Sequence, residues 1–291
     1  MNINHSNTSG YLQVDHVQYI SDAINYMNFD KPVLVENGCV DMDAISKWSP
    51  EYLKNVLDDT IVHVEEYDSK DHMGMTKFKT SKQMEFRQYI HKMLGYGPPY
   101  YYFAEQSVRK IIDVNDSQKS VILQDIKNDF DHVREPIEEL FFLGKDTRSG
   151  CHLHVDGDYM LNQIFGEKTV YLFDFAENKG VPMNAFWSEN SNFTKFNLFD
   201  IDHTKLKIYK VVLKPGNSLL IPPWWFHAVE GHGNSCSITK IYERSDMSYL
   251  FRCRYLLFLS LLDIVEEGLP YLTIAIVVYF MWTKILKNKS N

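Results

Sequence analysis

A change of period at Glu139 restricts the fold of this chain more than any other feature. From there on, the apolar pattern is that of strands rather than helices. Short stretches at 139–144, 150–156, 160–165, 168–174, 207–213, 217–222, 225–230 and 235–243 carry it. Turn signals separate several of them, including Asp156-Gly157, Pro215-Gly216 and Gly231-His-Gly-Asn234. Many short strands so spaced predict a sandwich or barrel.

Two of these stretches carry metal-binding chemistry. One is Gly150-Cys-His-Leu-His-Val-Asp156; the other is Ile221-Pro-Pro-Trp-Trp-Phe-His227. Alternate strand residues point to one side, so His154 and Asp156 share a face while Val155 turns away. His227 comes from far along the chain, as a ligand on another barrel strand does. Two imidazoles and one carboxylate on one face of an octahedron are the ligand set of non-haem Fe(II), with positions left open for a co-substrate and dioxygen. His152 lies two before His154 on the same side and is a rival ligand; His154 is preferred because it alone makes H-x-D. With 11 histidines in the chain, an H-x-D pair by itself is a weak signal. A ligand motif spread over the second and seventh strands fits a mainly β chain with flanking helices, folded as a double-stranded β-helix, the jelly-roll or cupin barrel.

The surroundings of the two motifs add to this. Downstream of the first stands Gln163-Ile-Phe-Gly-Glu-Lys168-Thr-Val-Tyr-Leu-Phe173, and before the second stands Val212-Leu-Lys-Pro-Gly216-Asn-Ser-Leu-Leu-Ile-Pro-Pro-Trp-Trp-Phe-His227. Together these resemble the cupin-like JmjC hydroxylases, a group that acts on protein side chains and on a tRNA nucleoside. The resemblance runs from about Pro32 to Glu243. It implies an Fe(II)- and 2-oxoglutarate-dependent hydroxylase with His154, Asp156 and His227 on the metal. It further implies Lys168 on the distal carboxylate of 2-oxoglutarate, with Tyr102 and Gln163 beside the co-substrate. A protein substrate is the first expectation and the tRNA nucleoside the second. Some positions depart from the group's pattern: Cys151 stands where Thr is frequent, Asp158 and Tyr159 stand in a shortened loop, and Lys240-Ile241 replaces a polar residue of the co-substrate shell. Those departures keep open a catalytically lapsed, membrane-tethered binding protein.

Composition narrows the partners. A net charge of −8 gives no general basic character, so DNA is not expected. Cys39, Cys151, Cys236 and Cys253 show no C-x-x-C spacing, and neither a zinc knuckle nor a disulfide framework is expected. The polar start of the chain has no apolar core of a signal peptide.

Residues 1–12 read as a flexible tail, and 13–137 as an α+β lead-in packed on a barrel at 138–245. Within the lead-in, helices are expected at 16–27, 43–57 and 82–94, with Ser49-Pro50 able to start the second. Strands are expected at 31–35, 60–65 and 100–106. The polar stretch 107–137 reads as a solvated face. Residues 175–206 form a long insertion, either a lid or a packed loop. Beyond the barrel, 246–267 reads as an amphipathic helix. Residues 268–286 are uncharged from Leu269 to Thr283 and approach the roughly 20 residues of a membrane helix. A single-pass C-terminal anchor with a cytosolic catalytic domain is the expectation, and a dimerisation helix, hence a homodimer, is the alternative.

Overall fold

The structure is a computed structural model that describes residues 11–23, 31–112, 116–155, 157–178, 180–184, 188 and 190–244. Among the described residues ten strands form one sheet: β1 (Asp15–Tyr19), β2 (Val33–Asn37), β3 (Ile61–Tyr67), β4 (Thr80–Glu85), β5 (Tyr100–Ser107), β6 (Glu138–Lys145), β7 (Asp158–Asp174), β8 (Tyr209–Leu213), β9 (Ser218–Ile221) and β10 (Trp225–Tyr242). Their order is β1-β2-β9-β7-β10-β6-β5-β3-β4, with β8 paired to β7. The helices are short: α1 (Ile20–Ala23), α2 (Asp43–Lys47), α3 (Pro50–Leu57), α4 (Phe86–Leu94), α5 (Val108–Ile111) and α6 (Val121–Asp125). This is the mainly β, jelly-roll architecture that the strand pattern predicts.

Alternation assigns the two faces of the central strands. Leu161, Val170, Leu172, Val211, Leu213, Leu219, Ile221, Trp225 and Ile241 gather into one buried cluster, the barrel interior. On the opposite face, Phe141, Leu143, Ile164, Cys236 and Ile238 pack against the lead-in through Leu53, Leu57, Phe86, Tyr89 and Ile90. The Ser49 hydroxyl accepts the backbone N–H of Tyr52 and caps α3, with Pro50 in its first turn.

Several expectations need correction. Residues 160–165 and 168–174 are one strand, β7, kinked at Gly166 (φ +71°), and 225–230 and 235–243 are joined as β10 with a register shift between His232 and Cys236. A side chain at Gly166 would meet the Asn234 carbonyl at 2.1 Å, so the two irregularities nest against each other. Residues 15–19 are a strand, because their backbone is taken up in parallel register by β2. Residues 80–85 are likewise a strand, held by β3 in the register Ile61↔Glu85 to Glu66↔Thr80, and the helix starts only at Phe86. Sheet pairing here overrides local propensity. Within 107–137, Asp125 is fully buried and accepts from Lys47, Trp48 and Tyr52, which tie α2 and α3 to α6.

The membrane location expected for the chain is contradicted. Among the described residues no helix is long and apolar enough to cross a membrane. The longest, α4 with 9 residues, spans about 14 Å against the roughly 30 Å of a bilayer core. Residues 246–286, where the helices were expected, lie outside the described residues, as do 1–10 of the tail and Phe186 and Trp187 of the insertion. Residues 184–191 with 245–291 form a second compact unit, of which Asn184, Ser188, Asn190 and Ser191 are described. There the Asn184 amide donates to the Asn190 carbonyl at 3.0 Å.

Candidate metal centre

Residues 150–154 form not a strand but a single rung between two neighbours. His152 and His227 exchange backbone hydrogen bonds, 3.1 Å from the N–H of His152 and 2.8 Å from that of His227. On the other side Leu153 N–H donates to Asn192 O and Thr194 N–H to Cys151 O. The ladder ends at once because Trp224, in the left-handed region at φ +70°, turns its N–H onto the His154 carbonyl at 2.9 Å. The Pro222-Pro223-Trp224 turn thereby fixes both the segment and the start of β10.

Three imidazoles converge on this rung. The ligand nitrogens of His152, His154 and His227 all lie within 4.8 Å of one another. His152 donates its Nδ1–H to Gly150 O at 2.9 Å, and His227 donates its Nδ1–H to Trp225 O at 3.3 Å. A ring so anchored presents Nε2 as a lone pair, the form a metal takes. The His154 ring instead stacks on Tyr159, with centroids 3.8 Å apart, and Phe193 of the insertion stacks on His152 at 4.8 Å. Burial pushes the pKa of His152 down and those of His154 and His227 well below the usual imidazole range. Glu105, on a bulge of β5 at φ +53°, pulls weakly the other way on His152. All three rings are therefore neutral near pH 7 and ready to bind a cation without losing a proton.

The predicted ligands His154 and His227 are thus brought together, and His152, set aside in favour of H-x-D, stands with them. Asp156 lies outside the described residues. The signal for His152 was present: His152-Leu153-His154 is itself a one-sided alternate pair, masked by the H-x-D that follows.

Lys168 lies on the same interior face. It stands opposite Gly231 in β10, four residues beyond His227, or about 13 Å along the strand. It is 2% exposed, and its ammonium donates to Ser237 Oγ at 2.5 Å and lies 5.4 Å from the centre of the Phe142 ring. No carboxylate pairs with it among the described residues. Burial therefore pushes its pKa down to about 8. A buried ammonium is costly without an anionic partner, and its surroundings fit an anionic ligand.

Tyr102 packs with Tyr67 and Met73 beside Phe142, one side chain away from Lys168. Its phenol has Thr147 as hydrogen-bond partner, and burial pushes its pKa far up. Gly144, opposite Tyr102, leaves room for the ring, since an added Cβ would meet it at 2.9 Å. Gln163 is buried beneath the β7 kink. Its amide donates to Phe165 O, Gly166 O and Ser235 Oγ, while its Oε1 has no hydrogen-bond partner among the described residues. Lys240, flagged as a departure, points to the opposite face and pairs with Asp131 and Asn128 of the lead-in. Interior positions on this strand are filled by Ser237 and Thr239. Ser237 and Phe193 were not foreseen, although Ser237 shares the odd-numbered face of His227; the insertion's path, which brings Phe193 here, leaves no sequence signal.

A jelly-roll barrel whose interior carries a histidine cluster and a buried lysine is a cupin-type arrangement. Residues 22–248 match the family described as cupin-like domain, and the chain belongs to that family. It is similar to JmjC domain-containing protein A of Dictyostelium discoideum, 23% identical over 238 residues that span 74% of this chain and 88% of that protein. It is also similar to HSPB1-associated protein 1 of Homo sapiens, 25% identical over 240 residues, 70% of this chain but 46% of that longer protein. The bovine protein of the same name is 29% identical over 152 residues, 50% of this chain and 30% of that protein.

Proposed function

We propose that this chain is an Fe(II)- and 2-oxoglutarate-dependent hydroxylase. One observation carries the reading: a histidine cluster and a buried, unpaired lysine face the same barrel interior. His154 and His227, with a third ligand from the segment before β7, offer the metal nitrogens from a rung clamped by backbone hydrogen bonds. Bound iron supplies the redox chemistry that couples loss of CO₂ from 2-oxoglutarate, giving succinate, to insertion of one dioxygen oxygen into a substrate C–H bond. Lys168 neutralises the distal carboxylate of the co-substrate, and Ser237 holds the ammonium in place. Tyr102 and Gln163 border that end, Gln163 offering the free Oε1 as an acceptor. The rings of Tyr159 and Phe193 wall the imidazoles and keep bulk water from two sides.

A protein side chain is the proposed substrate class. The acidic balance of the chain supports it over a nucleic acid, whose binding rests on cationic contacts. The test is succinate formation from 2-oxoglutarate by the purified, iron-loaded chain, uncoupled and with peptide substrates. Turnover that requires iron and is lost in Lys168→Ala is expected. An iron-loaded chain that neither binds 2-oxoglutarate in calorimetry nor turns it over would sink the hydroxylase reading.

A further inference from the structure

β5 does not run evenly past β6. Phe103 stands opposite Leu143 and Gln106 opposite Phe141, so Ala104 and Glu105 both stand against the single residue Phe142. This is a β-bulge, and its second residue, Glu105, takes the left-handed region at φ +53°. The Gln106 amide donates to Ala104 O at 3.0 Å and holds the irregularity in place. A residue with a Cβ is uncommon at positive φ, where glycine fits freely. The chain keeps a glutamate there instead.

The bulge borders the co-substrate end. The Phe142 ring lies against the Lys168 ammonium, and Ala104 packs with Tyr102 and Phe142 in one apolar cluster. From the bulge the Glu105 carboxylate is exposed, and its charge acts on both the Tyr102 phenol and the His152 imidazole. One carboxylate is thus within electrostatic reach of both halves of the site. The other acidic side chains of the flanking strands are engaged. Tyr67 and Lys79 donate to Glu65, Lys82 pairs with Glu66, Ser107 donates to Glu138 and Arg109 to Glu139. Among the described residues no hydrogen bond or ion pair engages Glu105.

We propose that Glu105 is a specificity-determining residue that receives a basic side chain, lysine or arginine, of the protein substrate and so holds the substrate chain beside the metal rung. The proposal rests on the hydroxylase reading above and narrows its substrate class. An ammonium or guanidinium on this carboxylate makes a charge-assisted hydrogen bond, and the net charge of −8 draws a basic partner in from a distance. The same carboxylate repels an acidic segment and so discriminates between substrates.

The experiment uses the full chain with Co(II) in place of iron and with 2-oxoglutarate present. It reads the binding of labelled Gly/Ser peptides by fluorescence polarisation, so no turnover is needed. The peptides differ only in a central Lys, Arg, Gln or Glu. The Lys and Arg peptides should bind about tenfold more tightly than the Gln peptide, and Glu105→Gln should erase that margin. Glu105→Lys should reverse the order in favour of the Glu peptide. Glu105→Gly should lose the margin while its melting temperature stays at or above that of the wild type, because the left-handed position is relieved. Co(II) affinity should hold in Glu105→Gln and Glu105→Gly. No preference for Lys and Arg in the wild type, or a preference that survives Glu105→Gln, overturns the proposal. So does a lower melting temperature in both neutral variants, which makes Glu105 a structural group. The hydroxylase reading fails separately. A chain that shows the charge preference but turns over no 2-oxoglutarate with iron loses that reading and keeps this site; turnover without the preference does the opposite.

Discussion

Lys168 and Lys240 are both buried on the central strands, and the sheet separates them. Lys240 faces the lead-in, where Asp131 takes its ammonium at 2.5 Å and Asn128 at 3.2 Å, with the Tyr242 hydroxyl closing on the same carboxylate. Burial still leaves its pKa lowered, with Asp131 pulling it back up. Lys168 faces the barrel interior with one hydroxyl and one ring face for company. A lysine with a built-in carboxylate ties two layers together; one without is a standing cost unless something anionic arrives. The contrast separates structure from function on a single sheet.

The largest effect is expected on the paired side. Lys240→Met leaves Asp131 and Asn128 facing an apolar group, and breaking a buried ion pair from one side costs about 3–5 kcal/mol. Urea unfolding of the apo chain should show that loss with an unchanged slope. A shift under about 1 kcal/mol would mean the pair is merely tolerated.

Lys168→Met should do the reverse. Its folded pKa of about 8 lies below the unfolded value of 10.5, so between these values the unfolded chain holds more protons. Stability of the apo chain therefore rises with pH across that window, by about 3 kcal/mol in all from this group. The methionine variant should be about 1–3 kcal/mol more stable at pH 7 and should lack this alkaline gain relative to wild type. Paired denaturant titrations at pH 7 and 10 measure both; identical pH profiles would show that Lys168 is solvated.

Ligand should narrow the difference between the two lysines. With iron present, 2-oxoglutarate at 100 times its Kd should stabilise the wild type by about 2.7 kcal/mol and Lys168→Met hardly at all. Its affinity should hold below about pH 8 and fall as the Lys168 ammonium deprotonates above that value. Calorimetry at pH 7 and 9 decides, and a flat profile would remove Lys168 from the co-substrate site.

Much of this was legible beforehand, for identifiable reasons. The strand period from Glu139 and turn signals such as Pro215-Gly216 announced the barrel, because alternation and turn chemistry are local. Lys168 was found through the resemblance, while its lack of a counter-ion needed the fold. Strands β1 and β4 were read as helices because their backbones are claimed by β2 and β3, partners far from any local window. His152 was passed over because H-x-D outweighed H-x-H. Lys240 was compared with the co-substrate shell by position in the resembled group, although alternation from His227 puts the odd positions of β10 in the interior and Lys240 on the opposite face.

The smallest predicted effect tests the one contact Lys168 does have. Ser237 sits opposite Gln163 in β7 and Phe142 in β6, so its hydroxyl meets the ammonium from the neighbouring strand. Ser237→Ala removes the acceptor without changing the backbone. The charged form of Lys168 then loses its hydrogen bond, so its pKa should fall below about 8 and the alkaline gain in stability should begin at lower pH. At pH 7 the apo chain should lose about 1–2 kcal/mol, the worth of a hydrogen bond to a charged group. Saturating 2-oxoglutarate should recover part of that loss, because its carboxylate takes over as acceptor. Recovery absent in Ser237→Ala, with ligand still bound, would place the carboxylate elsewhere and leave the ammonium a structural feature, as Lys240 is.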